Sequence, residues 1–203
     1  LANDASPDAP AHKPVAPAPS RKSRGVLDDV AINRALMRIA HEIGERNDDP
    51  ERVYLVAIPD GGVPVARRLA ANLEQVTGAR VPLGILDTTL YRDDLTTKGE
   101  RPPLRVTEMP SSVDERMVIL VEDVVNTGRT IRAAMDALMD FGRPRAVQVV
   151  ALVDRGHREL PIKIDYVGKN IPTQVGEVVK LREGEGALEV VVEPGDGPAR
   201  GLR

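Results

Sequence analysis

Apolar and polar positions follow two different periods along this chain, and the switches between them mark out its elements. From residue 27 the string LDDVAINRALMRIAHEIGER places Ile32, Leu36, Ile39, Ala40 and Ile43 at helical spacing, behind Asp28 and Asp29 as cap candidates. VYLVAI (53–58) is a continuous apolar run of the length of a buried strand, and PDGG (59–62) ends it in a turn. VPVARRLAANLEQVTG (63–78) predicts a second helix, and VPLGILDTTLYR (81–92) a second strand. DDLTTKGERPPLRVTE (93–108) is polar and carries glycine and proline, a long loop of the kind that serves as a lid or a link.

The run Met117–Val121 predicts a third strand, and residues 129–141 a helix whose face is Ile131, Met135 and Leu138, stopped by Gly142-Arg143-Pro144. AVQVVALVD (146–154) is a further strand. Strand, helix, strand with short connections is a βαβ unit, whose right-handed crossover makes the strands parallel. IDYVGKNIPT, EVVKLRE and GALEVVVEP read as short strands joined by glycine turns, with a hairpin at the end. The predicted architecture is one α/β domain over residues 26–193 with a β-rich C-terminal appendage. Residues 1–25, rich in proline and alanine, are expected to form a disordered tail, and 194–203 a flexible C-terminus.

Composition narrows the chemistry. Hydrophobic residues make up 41% of the 203, enough for one ordinary core. Cysteine is absent, which excludes disulfides, thiol catalysis and thiolate-ligated zinc, and suits a cytoplasmic setting. His12, His41 and His157 are scattered, a poor basis for a metal centre. The net charge of −3 confines any nucleic-acid contact to a local basic patch. Phe141, Tyr54, Tyr91 and Tyr166 are the only aromatic residues, too few for a base-stacking platform. No apolar run approaches the roughly 20 residues of a membrane span, and LANDASPDAP lacks the layout of a secretory signal.

The chemistry concentrates in MVILVEDVVNTGRTIRAAMDAL (117–138). Ligands of an open parallel sheet bind beyond the carboxyl ends of its strands, and Glu122 and Asp123 fall at such an end. Thr127-Gly128-Arg129-Thr130 then lead into a helix N-terminus, where unpaired N–H groups favour a phosphate. Two carboxylates just before a phosphate cradle suit a ribose 5-phosphate: acceptors for vicinal hydroxyls beside donors for the phosphate. Isolated acids at a strand end would be ordinary surface; this ordered combination is far more specific.

VILVEDVVNTGRT resembles the phosphoribosyl-diphosphate (PRPP) signature of type I phosphoribosyltransferases. LDTTLYRDDL, LVDRGHRELP and DYVGKN narrow the resemblance to the PyrR family, bifunctional pyrimidine-operon attenuation regulators and uracil phosphoribosyltransferases, over residues 27–192. The resemblance implies a parallel sheet flanked by helices, and conversion of uracil and PRPP to uridine monophosphate (UMP) and diphosphate. Mg²⁺ would enter with PRPP near Glu122 and Asp123, with no metal bound directly by the protein. Glu122 and Asp123 would be the catalytic acids holding the ribose hydroxyls. Val125, Asn126, Thr127, Gly128, Arg129 and Thr130 would wrap the 5-phosphate, and Asp60, Gly61 and Gly62 would form the diphosphate turn. Asp154, Arg155, Tyr166 and Val167 are implied at the uracil site, with Tyr166 on the ring and Val167 bonding through its backbone. Arg92, Lys98, Arg101 and Arg105 would belong to a lid.

The same resemblance implies a leader messenger RNA as partner, with UMP or UTP as co-regulator, on a homodimer or higher homo-oligomer. Arg38, His41, Arg158, Lys163 and Lys169 line up with the family's RNA face. Two positions depart from the family pattern. The diphosphate turn normally reads threonine-arginine-glycine in this family, or carries a lysine in relatives, and here it is Pro59-Asp60-Gly61-Gly62; tyrosine is usual at Asn126. Asp60 brings negative charge to a diphosphate site, and asparagine cannot serve as a general base. These departures keep a second reading open, a non-catalytic nucleotide-sensing RNA-binding regulator on the same fold. A purine-specific transferase is a third, against which LVDRGHRELP and DYVGKN argue.

Overall fold

The computed structural model describes residues 23–93, 105–174 and 176–195. It has strands β1 (Arg24–Leu27), β2 (Val53–Ala57), β3 (Leu83–Ile85), β4 (Met117–Val125), β5 (Ala146–Asp154), β6 (Tyr166–Asn170), β7 (Glu177–Gly184) and β8 (Ala187–Pro194). Its helices are α1 (Asp29–Arg46), α2 (Gly62–Thr77) and α3 (Arg129–Leu138). Five strands form a parallel sheet in the order β3-β2-β4-β5-β6, and β1, β8 and β7 form a separate antiparallel sheet.

Alternation along β4 divides the core. Ile119 and Val121 pack with the buried stripes of α1 and α2, while Val118 and Leu120 pack on the other face with Ile131, Ala134 and Leu138 of α3. The α1 stripe is the one its periodicity predicts: Ile32, Leu36, Ile39, Ala40 and Ile43 are all buried. Burying each leucine or isoleucine contributes about 1.5–3 kcal/mol. Asp28 is the N-cap of α1, its Oδ1 accepting from Ala31 N–H at 2.8 Å.

Several expectations are corrected. The strand predicted over 81–92 is cut to three residues, because Asp87 draws the chain into a turn. Its Oδ1 accepts from Thr89 N–H (2.9 Å) and its Oδ2 from Arg105 N–H (2.7 Å). A one-turn 3-10 helix over Thr89–Tyr91 follows. The segment around Tyr166 is no appendage: β6 is the edge of the parallel sheet, with Val150 opposite Tyr166 and Asp154 opposite Asn170. Only β7 and β8 form the C-terminal hairpin. The folded domain also starts earlier than residue 26, since β1 at Arg24–Leu27 pairs with β8. Helix α3 gives way to a 3-10 turn at Met139–Phe141.

Candidate active site

β4 outruns β2. The two pair from Val53 and Met117 to Ala57 and Val121, after which β4 continues beside β5 to Val125. The acids therefore lie on the last residues of a strand, beside the corner where the chain leaves β2. Their side chains diverge. Glu122 faces α3, where the Thr130 hydroxyl donates to it, and one of its buried oxygens, Oε2, has no hydrogen-bond partner. Asp123 faces the start of α2: a Cβ on Gly61 would lie 2.1 Å from its Oδ2, and one on Gly62 would lie 2.5 Å from the Val121 carbonyl oxygen. Gly62 demands glycine because the β4 main chain passes so close, whereas Gly61 meets only the Asp123 side chain. The Pro59–Asp60 peptide bond in this turn is cis.

Burial drives the electrostatics. It raises the Glu122 carboxyl to about 8, with the adjacent Asp123 charge adding and Thr130, Arg92 and Arg158 opposing. Asp123 is also raised, first by burial, and Asp60 adds to the rise. Two adjacent carboxylates that resist ionising together are poised to accept hydroxyl donors and positive charge.

Beyond β4, Gly128 takes φ +91° and caps α3, its Cα side resting on Ile162: an added Cβ would meet Ile162 Cγ1 at 3.0 Å. The loop is braced by residues 155–162. Arg158 donates to the Asn126 carbonyl (2.6 Å) and to Asp154 Oδ2 (2.8 Å), and Glu159 N–H donates to the Thr127 carbonyl (3.0 Å). Arg129 is held by Glu159 and Asp93, each at 2.8 Å. Asn126 Oδ1 is buried without a partner. Thr127 Oγ1 accepts from Arg129 N–H at 3.3 Å.

The Phosphoribosyl transferase domain family matches residues 26–183. A relative named Bifunctional protein PyrR from Pelotomaculum thermopropionicum is 53% identical over 175 residues, covering 85% of this chain and 97% of the relative. Another of that name, from Deinococcus radiodurans, is 54% identical over 157 residues, 77% and 86% of the two chains. The chain belongs to the PyrR family of phosphoribosyltransferases. The PyrR fold extends to distant structures. The hypoxanthine phosphoribosyltransferase of Trypanosoma cruzi superposes with a TM-score of 0.64 at 18% identity, over 85% of this chain and 97% of that one. The Staphylococcus aureus enzyme gives 0.59 at 20%, over 76% and 80%.

Within this PyrR frame the expected residues separate into groups. Glu122, Asp123, the loop from Val125 to Thr130 and the turn Asp60-Gly61-Gly62 converge at one corner of the sheet. Asp154 stands opposite Val125 in the register and is bound to Arg158 and to Gly156 N–H. Arg155 turns away, donating to Thr173 Oγ1 and the Glu177 carbonyl. The expectation that Tyr166 covers the uracil ring is corrected. Its side chain has no solvent exposure, lies in the α1 core with its hydroxyl on Gln148, and has Arg46 stacked over the ring at 5.0 Å. Tyr166 is placed there because β6 starts at this level of the sheet, opposite Val150, four residues before the carboxyl end of β5 at Asp154. The Val167 carbonyl accepts from Arg38 at 2.7 Å.

Arg38 also binds the Gly168 carbonyl (3.1 Å) and Glu42, so this α1 side chain ties the helix to β6. His41, Lys163 and Lys169 are exposed. Of the lid cations, Lys98 and Arg101 lie outside the described residues. Arg92 lies near enough to Glu122 to lower its pKa. Arg105 ion-pairs with Asp60. Two features escaped the sequence reading, the bracing role of Arg158 and the pairing of Arg105 with Asp60. The first had a signal, since Asp154 and Arg158 stand four apart. The second had none, because 45 residues separate its partners.

Proposed function

We propose that this protein transfers the 5-phosphoribosyl group of PRPP to N1 of uracil, forming UMP and diphosphate, and that uridine nucleotides govern its binding of a pyrimidine-operon leader mRNA. The observation that carries the enzyme reading is the pair Glu122-Asp123 leading straight into the braced loop at the N-terminus of α3. Carboxylates there accept the ribose 2- and 3-hydroxyls. Main-chain N–H groups and the hydroxyls of Thr127 and Thr130 receive the 5-phosphate. The anomeric carbon is thereby fixed between the base and the diphosphate turn, and the positive charge developing on the ribose in an oxocarbenium-like transition state faces two acids.

Among the described residues no group of three or more histidine or acidic side chains is arranged to hold a metal. Glu122 and Asp123 instead suit an ion delivered with its own ligands, since a buried Glu122 oxygen has no partner. Mg²⁺ would supply charge neutralisation of the departing diphosphate.

For the RNA function the support is the corner between α1 and the edge strand β6. His41 follows Arg38 by three residues on α1, and Arg38 is bonded to the strand that carries Lys169. Lys163 lies on the approach to that strand. A homodimer would present two such patches on one RNA. The reading sets the protein in the cytoplasm, where a nascent leader and PRPP meet.

The deciding experiment measures UMP from uracil, PRPP and Mg²⁺ with wild type and Asp123→Asn. Turnover that falls by at least about 100-fold in the variant supports the enzyme, by removal of a group that meets developing charge. No turnover in wild type, with UMP still bound, would leave the regulator alone.

A further inference from the structure

Asp60 puts an acid at the turn where diphosphate is expected, and the structure shows how that charge is met. Arg105, which comes after the Thr89–Tyr91 turn in the chain, pairs with Asp60 Oδ2 through one guanidinium nitrogen. The Arg105 main-chain N–H is itself fixed on Asp87 at 2.7 Å, so the side chain is anchored at both ends. A guanidinium offers five N–H donors in a planar fork. Among the described residues, Asp60 engages one nitrogen of that fork.

Two further facts tie Asp60 to this corner. The next residue, Gly61, lies against Asp123, and the Asp60 charge contributes to the raised pKa of Asp123. Its carboxylate thus acts on the same corner as the catalytic acids. Left without a cation, it would oppose a phosphorylated ligand there.

We infer that Asp60 is a positioning residue: it holds Arg105 over the Asp60-Gly61-Gly62 turn, and Arg105 supplies from across the loop the positive charge that binds the diphosphate of PRPP. The inference rests on the phosphoribosyltransferase reading. It makes the two residues interdependent. Arg105 both attracts the diphosphate and cancels Asp60, so removing it exposes an acid as well as losing a cation. Removing Asp60 at the same time returns part of that loss.

The test is calorimetric titration of MgPRPP and, separately, UMP into wild type, Asp60→Asn, Arg105→Gln and the double variant. UMP has the ribose 5-phosphate and the base but no diphosphate. Arg105→Gln should weaken MgPRPP about 10-fold or more, the scale for losing one charge-assisted contact to the diphosphate. The double variant should recover about threefold or more of that loss, the signature of coupled neighbours. UMP affinity should stay unchanged in all four proteins. Unchanged MgPRPP affinity in Arg105→Gln overturns the inference, as does a double variant no better than the single. Equal weakening of UMP would show damage to the whole pocket and overturns it too. Wild type that binds neither ligand would sink the phosphoribosyltransferase reading itself.

Discussion

The two halves of the PRPP corner are held by different physics. On the α3 side, the 5-phosphate loop is braced by groups largely withdrawn from water: Arg158 and Asp154 have side chains 22% and 20% exposed, and three main-chain bonds tie residues 125–127 to 155–160. On the α2 side, the diphosphate turn meets its counter-charge through an exposed pair, Asp60 at 68% and Arg105 at 43%. Exposed pairs are worth about 0–1 kcal/mol and yield to salt, whereas breaking a mostly buried one costs about 3–5 kcal/mol. On the proposed reading, the rigid half takes the part common to substrate and product, and the adjustable half takes the part that leaves.

The largest expected effect comes from breaking the rigid half. Arg158→Ala leaves Asp154 and the Asn126 carbonyl without their donor, at a cost of about 3 kcal/mol, and frees the loop. UMP and PRPP should weaken together, by about 30-fold or more. Titration with each ligand checks this. If only PRPP suffered, the bracing would belong to the diphosphate half and the contrast would be wrong. Gly128→Ala comes next. It forces φ +91° on a residue with a Cβ and drives that carbon onto Ile162, so unfolding free energy should fall by about 1–2 kcal/mol. Denaturant melts of the apo protein measure it.

A third effect separates the acids themselves by pH. Burial pushes the Glu122 carboxyl up to about 8 in the folded protein, from an ordinary value of about 4.5 when unfolded. The group therefore contributes stability that is complete below about pH 4.5 and lost as pH rises toward 8. Glu122→Gln should remove this slope, gaining several kcal/mol over wild type at pH 8.5 and nothing at pH 4. Parallel pH slopes for the two proteins would mean that Glu122 is solvated.

How much of this was legible from sequence follows from range. The sheet strands, the α1 stripe and the order acids, loop, helix were readable because each is a local period or a local spacing. Glu122, Asp123 and the residues up to Thr130 sit on one continuous segment, so the α3 half could be assembled without a fold. The α2 half could not. Asp60 read as a liability because Arg105 is remote in sequence, and nothing local pairs them. Tyr166 misled for a related reason. Its position in DYVGKN marks the start of a strand, but the depth of that start depends on register with β5, which periodicity does not reveal. The 81–92 run failed because Asp87 outcompetes the ladder for backbone donors.

The smallest effect tests the correction at Tyr166. Tyr166 touches neither half of the corner. Its hydroxyl bonds to Gln148 Oε1 at 2.8 Å, and the ring is packed under Arg46 in the α1 core. Tyr166→Phe keeps the ring and deletes one hydrogen bond, leaving the Gln148 oxygen to find another donor, so stability should drop by about 1 kcal/mol. The KM for uracil and kcat should not move. A structural tyrosine and a base-binding one differ in this split. A raised uracil KM at unchanged stability would return Tyr166 to the base site and require β6 to slide toward the carboxyl edge. Because a one-residue slip would also turn Val167 into the core and expose Tyr166 on the opposite face, such a result would rewrite the α1–β6 corner as a whole. The tight Gly168 approach to the Leu152 carbonyl, where a Cβ would sit at 2.4 Å, argues for the register as it stands.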